Sequence, residues 1–200
     1  MKPRFSVFTL LILTVLMIFL ASPVWAQDDE KRGLFSGHFG RSSSMASSDA
    51  THVALGASVA FKLFESHYLY AEPGLLINWP RNNNFFVEGY PYPLRSSSKT
   101  YIVDFNLSQA FFVKANEREE NRFQPYFTGG VGFVKNSADL SDGYSQYNLG
   151  SDTHFSKNLG LGFRVFLGES GNFFVNGEWK NYWSGGGNFH VFSGGAGFRF

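Results

Sequence analysis

No cysteine occurs in the 200 residues, which rules out a disulfide framework, a thiol nucleophile and the thioether of a lipid-modified N-terminus. Charged residues make up only 16% of the chain, sparse cover for the surface of an ordinary soluble domain. They are also nearly balanced, 17 basic against 16 acidic, with no basic face to meet nucleic acid. Beyond residue 26 no apolar pattern of period 3.6 persists for more than a turn or two, so a helical fold is excluded as well. The five histidines, His38, His52, His67, His154 and His190, show no metal-ligand spacing, and no metal or other cofactor is expected.

Phenylalanine and glycine are abundant instead, at 24 and 22 residues. The chain opens on Lys2 and Arg4, continues through an almost wholly apolar run from Phe5 to Leu20, and breaks at Pro23, Val24 and Ala26. This is the pattern of a secretory signal peptide, and residues 1–26 are expected to be cleaved. The apolar run also approaches the length of a membrane anchor, but Pro23 supplies the extended backbone that a processing site needs. Loss of Lys2 and Arg4 leaves 15 basic and 16 acidic residues in the exported domain, 27–200.

Within that domain, eight segments alternate with period two: 33–42, 52–64, 68–79, 101–114, 124–135, 155–167, 172–183 and 188–200. Val53, Leu55, Ala57, Val59, Phe61 and Leu63 share one face of the second, and Phe155, Leu159, Leu161, Phe163, Val165 and Leu167 share one face of the sixth. The opposite face carries Glu72, Asp104, Asn106, Asn158, Arg164, Glu178 and Lys180. Such groups are poor walls for a lipophilic-ligand cavity, where each unpaired charge costs several kcal/mol. Inside a narrow polar lumen they can pair, and Glu178 with Arg164 is the first expected partnership, with Lys180, Glu72 and Asp104 in the same network. Gly130, Gly132, Gly160 and Gly162 fall on that face and make room for Tyr126, Arg164 and Glu178. The fold class predicted is all-β, an eight-stranded antiparallel up-and-down transmembrane β-barrel.

Connection lengths give it a direction. Residues 65–67 and 168–171 are short turns, and 115–123 is a strongly charged linker; these are expected in the periplasm. Residues 43–51, 80–100 and 136–153 are rich in Ser, Asn, Asp, Pro and Gly and are expected as outer loops, with 184–187 a tight fourth connection. Both termini then lie in the periplasm. Trp79 and Trp183 fall at the outer strand ends, and Tyr68, Phe173 and Phe200 at the inner ends, as two aromatic belts.

The strings Pro125-Tyr126-Phe127-Thr128-Gly129-Gly130-Val131-Gly132-Phe133, Gly160-Leu161-Gly162-Phe163-Arg164-Val165-Phe166, Glu178-Trp179-Lys180 and Gly197-Phe198-Arg199-Phe200 resemble the small outer-membrane protein β-barrel domain family, similar to the transmembrane part of OmpA and to OmpX. The resemblance implies residence in the cell outer membrane, contact with its lipids, and recognition of Phe200 by the barrel-assembly machinery. It also implies a role among adhesion, envelope integrity and small-solute passage. The chain stops on the closing strand, so the peptidoglycan-binding domain that follows many OmpA-type barrels is not expected.

Catalysis is not expected either. A lipid A deacylase of this architecture needs histidine two residues before its serine and asparagine after it, whereas Tyr182 and Gly185 flank Ser184. His190 and Ser193 lie on opposite strand faces. A lumen this narrow is expected to be plugged by its own side chains, which argues against a nutrient pore. A surface or host ligand is the remaining expectation, met by the aromatic and proline-rich 80–100 loop, which otherwise covers the barrel mouth.

Overall fold

The computed structural model describes residues 33–44, 51–64, 67–79, 83–85, 94–111, 122–142, 145–168 and 171–200. The expected signal at 1–26, residues 115–121 of the charged linker expected at 115–123, residues 80–82 and 86–93 of the long loop, and residues 45–50, 65–66 and 169–170 of the other expected connections lie outside the described residues. Nine strands are present: β1 (Gly33–Ser44), β2 (Thr51–Phe64), β3 (His67–Trp79), β4 (Asn83–Phe85), β5 (Leu94–Ala110), β6 (Phe123–Ser141), β7 (Gln146–Leu167), β8 (Phe173–Ser184) and β9 (Gly187–Arg199). Each long strand pairs antiparallel with its sequence neighbours, β3 pairs with β5, and β1 pairs with β9. The eight long strands therefore close into a barrel, with β4 a short addition to the edge of β5. Over the length that pairs all the way round, closure leaves no open edge, the condition for a sheet in hydrocarbon.

The register sets the barrel's shape. Hydrogen-bonded partners followed once round, from Gly33 through Phe61, Ala71, Leu107, Gly129, Leu159, Asn181 and His190, return to β1 at Ser43, ten residues beyond the start. With about 3.3 Å per residue and 4.8 Å between strands, that stagger tilts the strands by roughly 40°. Phe173 and Trp183, at opposite ends of β8, are then separated by roughly 25 Å of height, the thickness of an outer-membrane apolar band.

Alternation decides what each side meets. Phe127 is 55% exposed and the adjacent Tyr126 only 1%. Phe39, Phe105, Phe133, Phe155, Phe173 and Phe192 are likewise exposed on the outer wall. Aromatics so exposed round the circumference suit acyl chains rather than water. Inside, two apolar clusters occupy opposite ends. Leu34, Ala60, Tyr70, Phe166 and Phe174 fill the end at which β1 begins and β9 finishes, and Ala54, Ile102, Val134, Tyr182 and Val191 fill the loop end.

Two sequence expectations are corrected. Residues 136–153 are not an outer loop: β6 runs on to Ser141 and β7 begins at Gln146. Their polar composition hides strands whose backbones pair well above the apolar band. Gly150, at φ 108°, takes the left-handed conformation beside the bulge that skips Leu149 from the register. The fourth segment, expected at 101–114, starts seven residues earlier at Leu94 and ends as a strand at Ala110.

Phe174 and Phe173 separate the two environments on one strand. Phe174→Ala, which empties an interior site, is expected to cost about 3–5 kcal/mol in urea unfolding from lipid vesicles. Phe173→Ala, on the lipid face, is expected to cost distinctly less, and equal losses would contradict the assigned faces.

Candidate functional site

Between the two apolar clusters lies a band of charge. Glu72 on β3 is at its centre: Oε1 accepts from Ser58 Oγ at 2.7 Å, and Oε2 accepts from Ser108 Oγ at 2.8 Å and Arg164 Nη2 at 3.0 Å. Both members of the Glu72–Arg164 pair are almost fully buried, so the hydrogen bonds from β2 and β5 offset a desolvation cost that a bare ion pair would leave standing. Ser58 Oγ lies 3.0 Å from Ser36 Oγ and 3.1 Å from His38 Nε2, and His38 Nδ1 lies 3.2 Å from Asn176 Nδ2. The chain of contacts thus crosses from β3 through β2 and β1 to β8.

A second centre forms around Lys180. Its Nζ is 2.9 Å from Glu178 Oε1 and 4.0 Å from Asp104 Oδ2. Tyr126 donates to Glu178 Oε2 at 2.9 Å, and Tyr182 donates to Asp104 Oδ2 at 2.8 Å. Three carboxylates and two cations are therefore held together by tyrosine and serine hydroxyls.

The structure corrects the expected partnership of Glu178 with Arg164. Arg164 reaches Glu72, and the Tyr126 ring stands in the way of Glu178: the guanidinium carbon sits 4.1 Å above its centroid while its hydroxyl is spent on Glu178. Gly162 makes this possible, since a Cβ there would collide with the Tyr126 ring, and a Cβ at Gly160 would lie 2.7 Å from Lys180 Cγ. Tyr182, Ser58, Ser108 and His38 are network members that the sequence reading passed over. Their even numbers place them on the same face as Glu72, Asp104 and Lys180, and that parity is the signal that could have found them.

Of the aromatic residues singled out for the belts, Trp79 and Phe173 are exposed on the outer wall and Trp183 shares their parity. Tyr68 is a correction. It packs against the interior cluster of Leu34, Tyr70, Phe166 and Phe174 beneath Lys62 Nζ, 5.2 Å from its ring centre. One residue's shift in parity carries a strand-end aromatic from lipid to core. Phe200 exchanges backbone hydrogen bonds with Gly33, N to O at 3.0 Å and O to N at 2.9 Å, which ties the chain end to β1.

The free interior space beside His38, Asp104, Glu178 and Lys180 is about 30 Å³, room for about two water molecules and nothing larger. A vestibule of about 140 Å³ opens at the loop end, lined by Ser42, Asn78, Thr100, Asn136 and Phe189. Below it Phe189 stacks on Tyr182, ring centres 4.9 Å apart and planes within 6°, and the way onward is closed by Val134 and Val191. No group of three or more His, Asp or Glu suited to a metal is found among the described residues. On the outer wall Ser43 Oγ lies 2.5 Å from His190 Nε2. No carboxylate partner for His190 is found among the described residues, and a serine nucleophile needs its base oriented by such a third group.

Glu72→Gln is expected to destabilise the barrel by about 3–5 kcal/mol, because it leaves Arg164 buried without its counter-charge. Pairing it with Arg164→Met should recover most of that loss in urea unfolding. Additive losses in the double variant would show that the two side chains do not act together.

Comparison with solved structures returns small outer-membrane barrels. A major outer membrane protein of Thermus thermophilus superposes with a TM-score of 0.56 at 12% identity, over 84% of this chain and 99% of that one. The N-terminal β-barrel domain of Pseudomonas aeruginosa OprF gives 0.51 at 15%, over 85% and 98%. Ail, the attachment invasion locus protein of Yersinia pestis, gives 0.52 at 12%, over 84% and 97%. At such identities the likeness is one of fold. A search of curated proteins finds no match in sequence. The family model for the outer membrane protein β-barrel domain, however, matches residues 12–200, and the chain is a member of that family, an outer-membrane β-barrel protein.

Proposed function

We propose that this barrel is a non-enzymatic surface protein whose loop end faces outward and carries the contact surface, while the sealed barrel serves as an inert, stabilising anchor in the envelope. The observation that carries this reading is the continuation of β6 and β7 beyond the apolar band. β7 begins nine residues before Phe155; residues 146–153 on its side of the extension are exposed, with Tyr147 at 51% and Leu149 at 63%, while 136–141 on β6 are half-buried. β4 and the first residues of β5 pair beside it, so the extension is a small sheet rather than a floppy loop. An exposed tyrosine and an exposed leucine on an ordered, polar sheet are suited to recognising a polysaccharide or a host surface component at low entropic cost.

Orientation is supported by chain geometry. β2 ends and β3 begins within three residues of each other, and β7 ends and β8 begins within six, at the end of the barrel where β1 begins and β9 finishes; short connections belong on the periplasmic side of such barrels. Attachment is already a role named for one protein of this fold, Ail. Contact with outer-membrane lipids along the aromatic wall, and with the assembly machinery during insertion, complete the expected partners. Against an enzyme stands the isolated Ser43–His190 pair, and against a pore stands the closure by Tyr182, Phe189, Val134 and Val191.

Replacing residues 137–152 by a short Asn-Gly turn is expected to leave a heat-modifiable, folded barrel and to lower binding to host cells or polysaccharide at least tenfold. Unchanged binding after this replacement and after deletion of 80–100 would remove the adhesive role. Protease added to intact cells is expected to cut within 137–152, and protection there with cleavage only after the outer membrane is breached would reverse the orientation. In planar bilayers no large, stable single-channel steps are expected, and their appearance would contradict the sealed lumen.

A further inference from the structure

The vestibule at the loop end measures about 140 Å³, room for roughly ten water molecules and hence for one pyranose ring with its hydroxyls. Phe189 is its floor. One face of that ring lies on Tyr182, planes within 6°, and the other is turned to the vestibule. A flat apolar ring face is what the C–H face of a sugar packs on. The walls supply polar groups. Asn78 is 4% exposed, and its Oδ1 is buried without a hydrogen-bond partner. Asn136 Oδ1 accepts from Thr100 Oγ1 at 2.9 Å, which leaves Asn136 Nδ2 as a donor, and that nitrogen stands 3.0 Å from where a Cβ on Gly186 would be. Buried Ser42 and exposed Asn188 complete the lining. An acceptor, a donor and a ring face brought to one small space are what a neutral polyol requires.

Charge is kept away from this space. Among the described residues that line the vestibule none is charged, so an anionic group seated there would be desolvated without a counter-charge. The strands above it follow the same rule. Arg95, Lys99 and Lys135 occupy odd positions of β5 and β6, on the face opposite Thr100 and Asn136. Asp152, paired with Asn136, is the one full charge on the mouth-side face of β5, β6 and β7 above the barrel. The bulge at Gly150 then adds a contact. Because Leu149 is skipped, Tyr147 pairs with Leu140 and shares a face with Asn136 rather than with Phe155. Leu140 is four residues along β6 from Asn136, which sets the exposed Tyr147 roughly 13 Å up the sheet from the vestibule wall, within reach of a short oligosaccharide.

We propose that the vestibule takes the terminal pyranose of a neutral glycan, packed on Phe189 and hydrogen-bonded by Asn78 and Asn136, with a later unit of the same chain stacked on Tyr147. That the glycan lies outside the cell rests on the orientation and contact role proposed above; the fit of sugar to vestibule does not.

Ligand-observed saturation-transfer NMR tests this on the folded barrel, purified from outer membranes into a detergent without a sugar headgroup. The probes are methyl glycosides of neutral hexoses, deoxyhexoses and N-acetylhexosamines, their trisaccharides, and the sulfated counterparts. At least one neutral trisaccharide is expected to bind saturably, and at least tenfold more tightly than its sulfated form. Asn78→Leu should lower the affinity for that trisaccharide and for its methyl glycoside at least tenfold, since it removes the buried acceptor and fills its place. Tyr147→Ala, at an exposed site, should weaken the trisaccharide at least threefold and leave the methyl glycoside unchanged. Lys99→Gln, on the opposite face, should alter neither. Each variant is read in its heat-modifiable, folded form. Saturable binding by none of the neutral sugars overturns the proposal, as does equal binding of neutral and sulfated forms, or affinities that Asn78→Leu or Tyr147→Ala leave as they were. Polysaccharide stripped from the same cells and neutral glycans released from host cells are then competed against the bound trisaccharide. Displacement by one of them identifies the source, and displacement by neither overturns the proposal. Adhesion lost on replacing 137–152 while the purified barrel binds no neutral sugar rejects this inference alone, whereas sugar binding by the purified barrel with unchanged adhesion upholds it and rejects the contact role.

Discussion

A strand that crosses hydrocarbon must have every backbone N–H and C=O paired, and eight strands achieve this only by closing on themselves. Closure here comes with a stagger of ten residues round the ring. That stagger fixes the tilt, the height between aromatic residues at the two strand ends, and a lumen too narrow for anything but side chains. The remaining features are consequences of fitting polar and apolar groups into that lumen.

The interior is layered. Apolar clusters close both ends, and between them the charges of Glu72, Asp104, Arg164, Glu178 and Lys180 are joined by serine and tyrosine hydroxyls. The clusters narrow the way to the charges from either end, and the charges are tolerable there because they are mutually paired. A protein arranged in this way has its interior committed to holding the barrel together. Its contacts with the outside are left to the wall and to the strand extensions at the loop end.

Much of the barrel was legible in the chain. Alternation at Phe127, Val131 and Phe133 against Thr128, Gly130 and Gly132 fixes both the strand and its two faces, because a period of two admits no other regular structure. The polar face of Glu72, Arg164 and Lys180 was legible for the same reason. Pair identity was not: whether Arg164 meets Glu72 or Glu178 depends on where the Tyr126 ring comes to rest across the lumen, a contact between side chains brought together only by closure. Tyr68 escaped because its position at a strand end suggested a belt, while its parity sends it inward. The strands at 136–153 escaped because above the apolar band a strand loses its hydrophobic face, and Ser, Asp and Gly then look like loop.

The central claim is that one face of every strand touches acyl chains and the other is sealed from both lipid and water. The absence of native cysteine makes it directly measurable with single cysteines placed along β6 and spin-labelled in lipid vesicles. Labels at 127, 131 and 133 should be accessible to oxygen dissolved in the bilayer, and labels at 126, 128 and 134 should be shielded from oxygen and from a water-soluble nickel chelate alike. Accessibility that fails to alternate, or a nickel chelate that reaches the odd positions, would contradict the account.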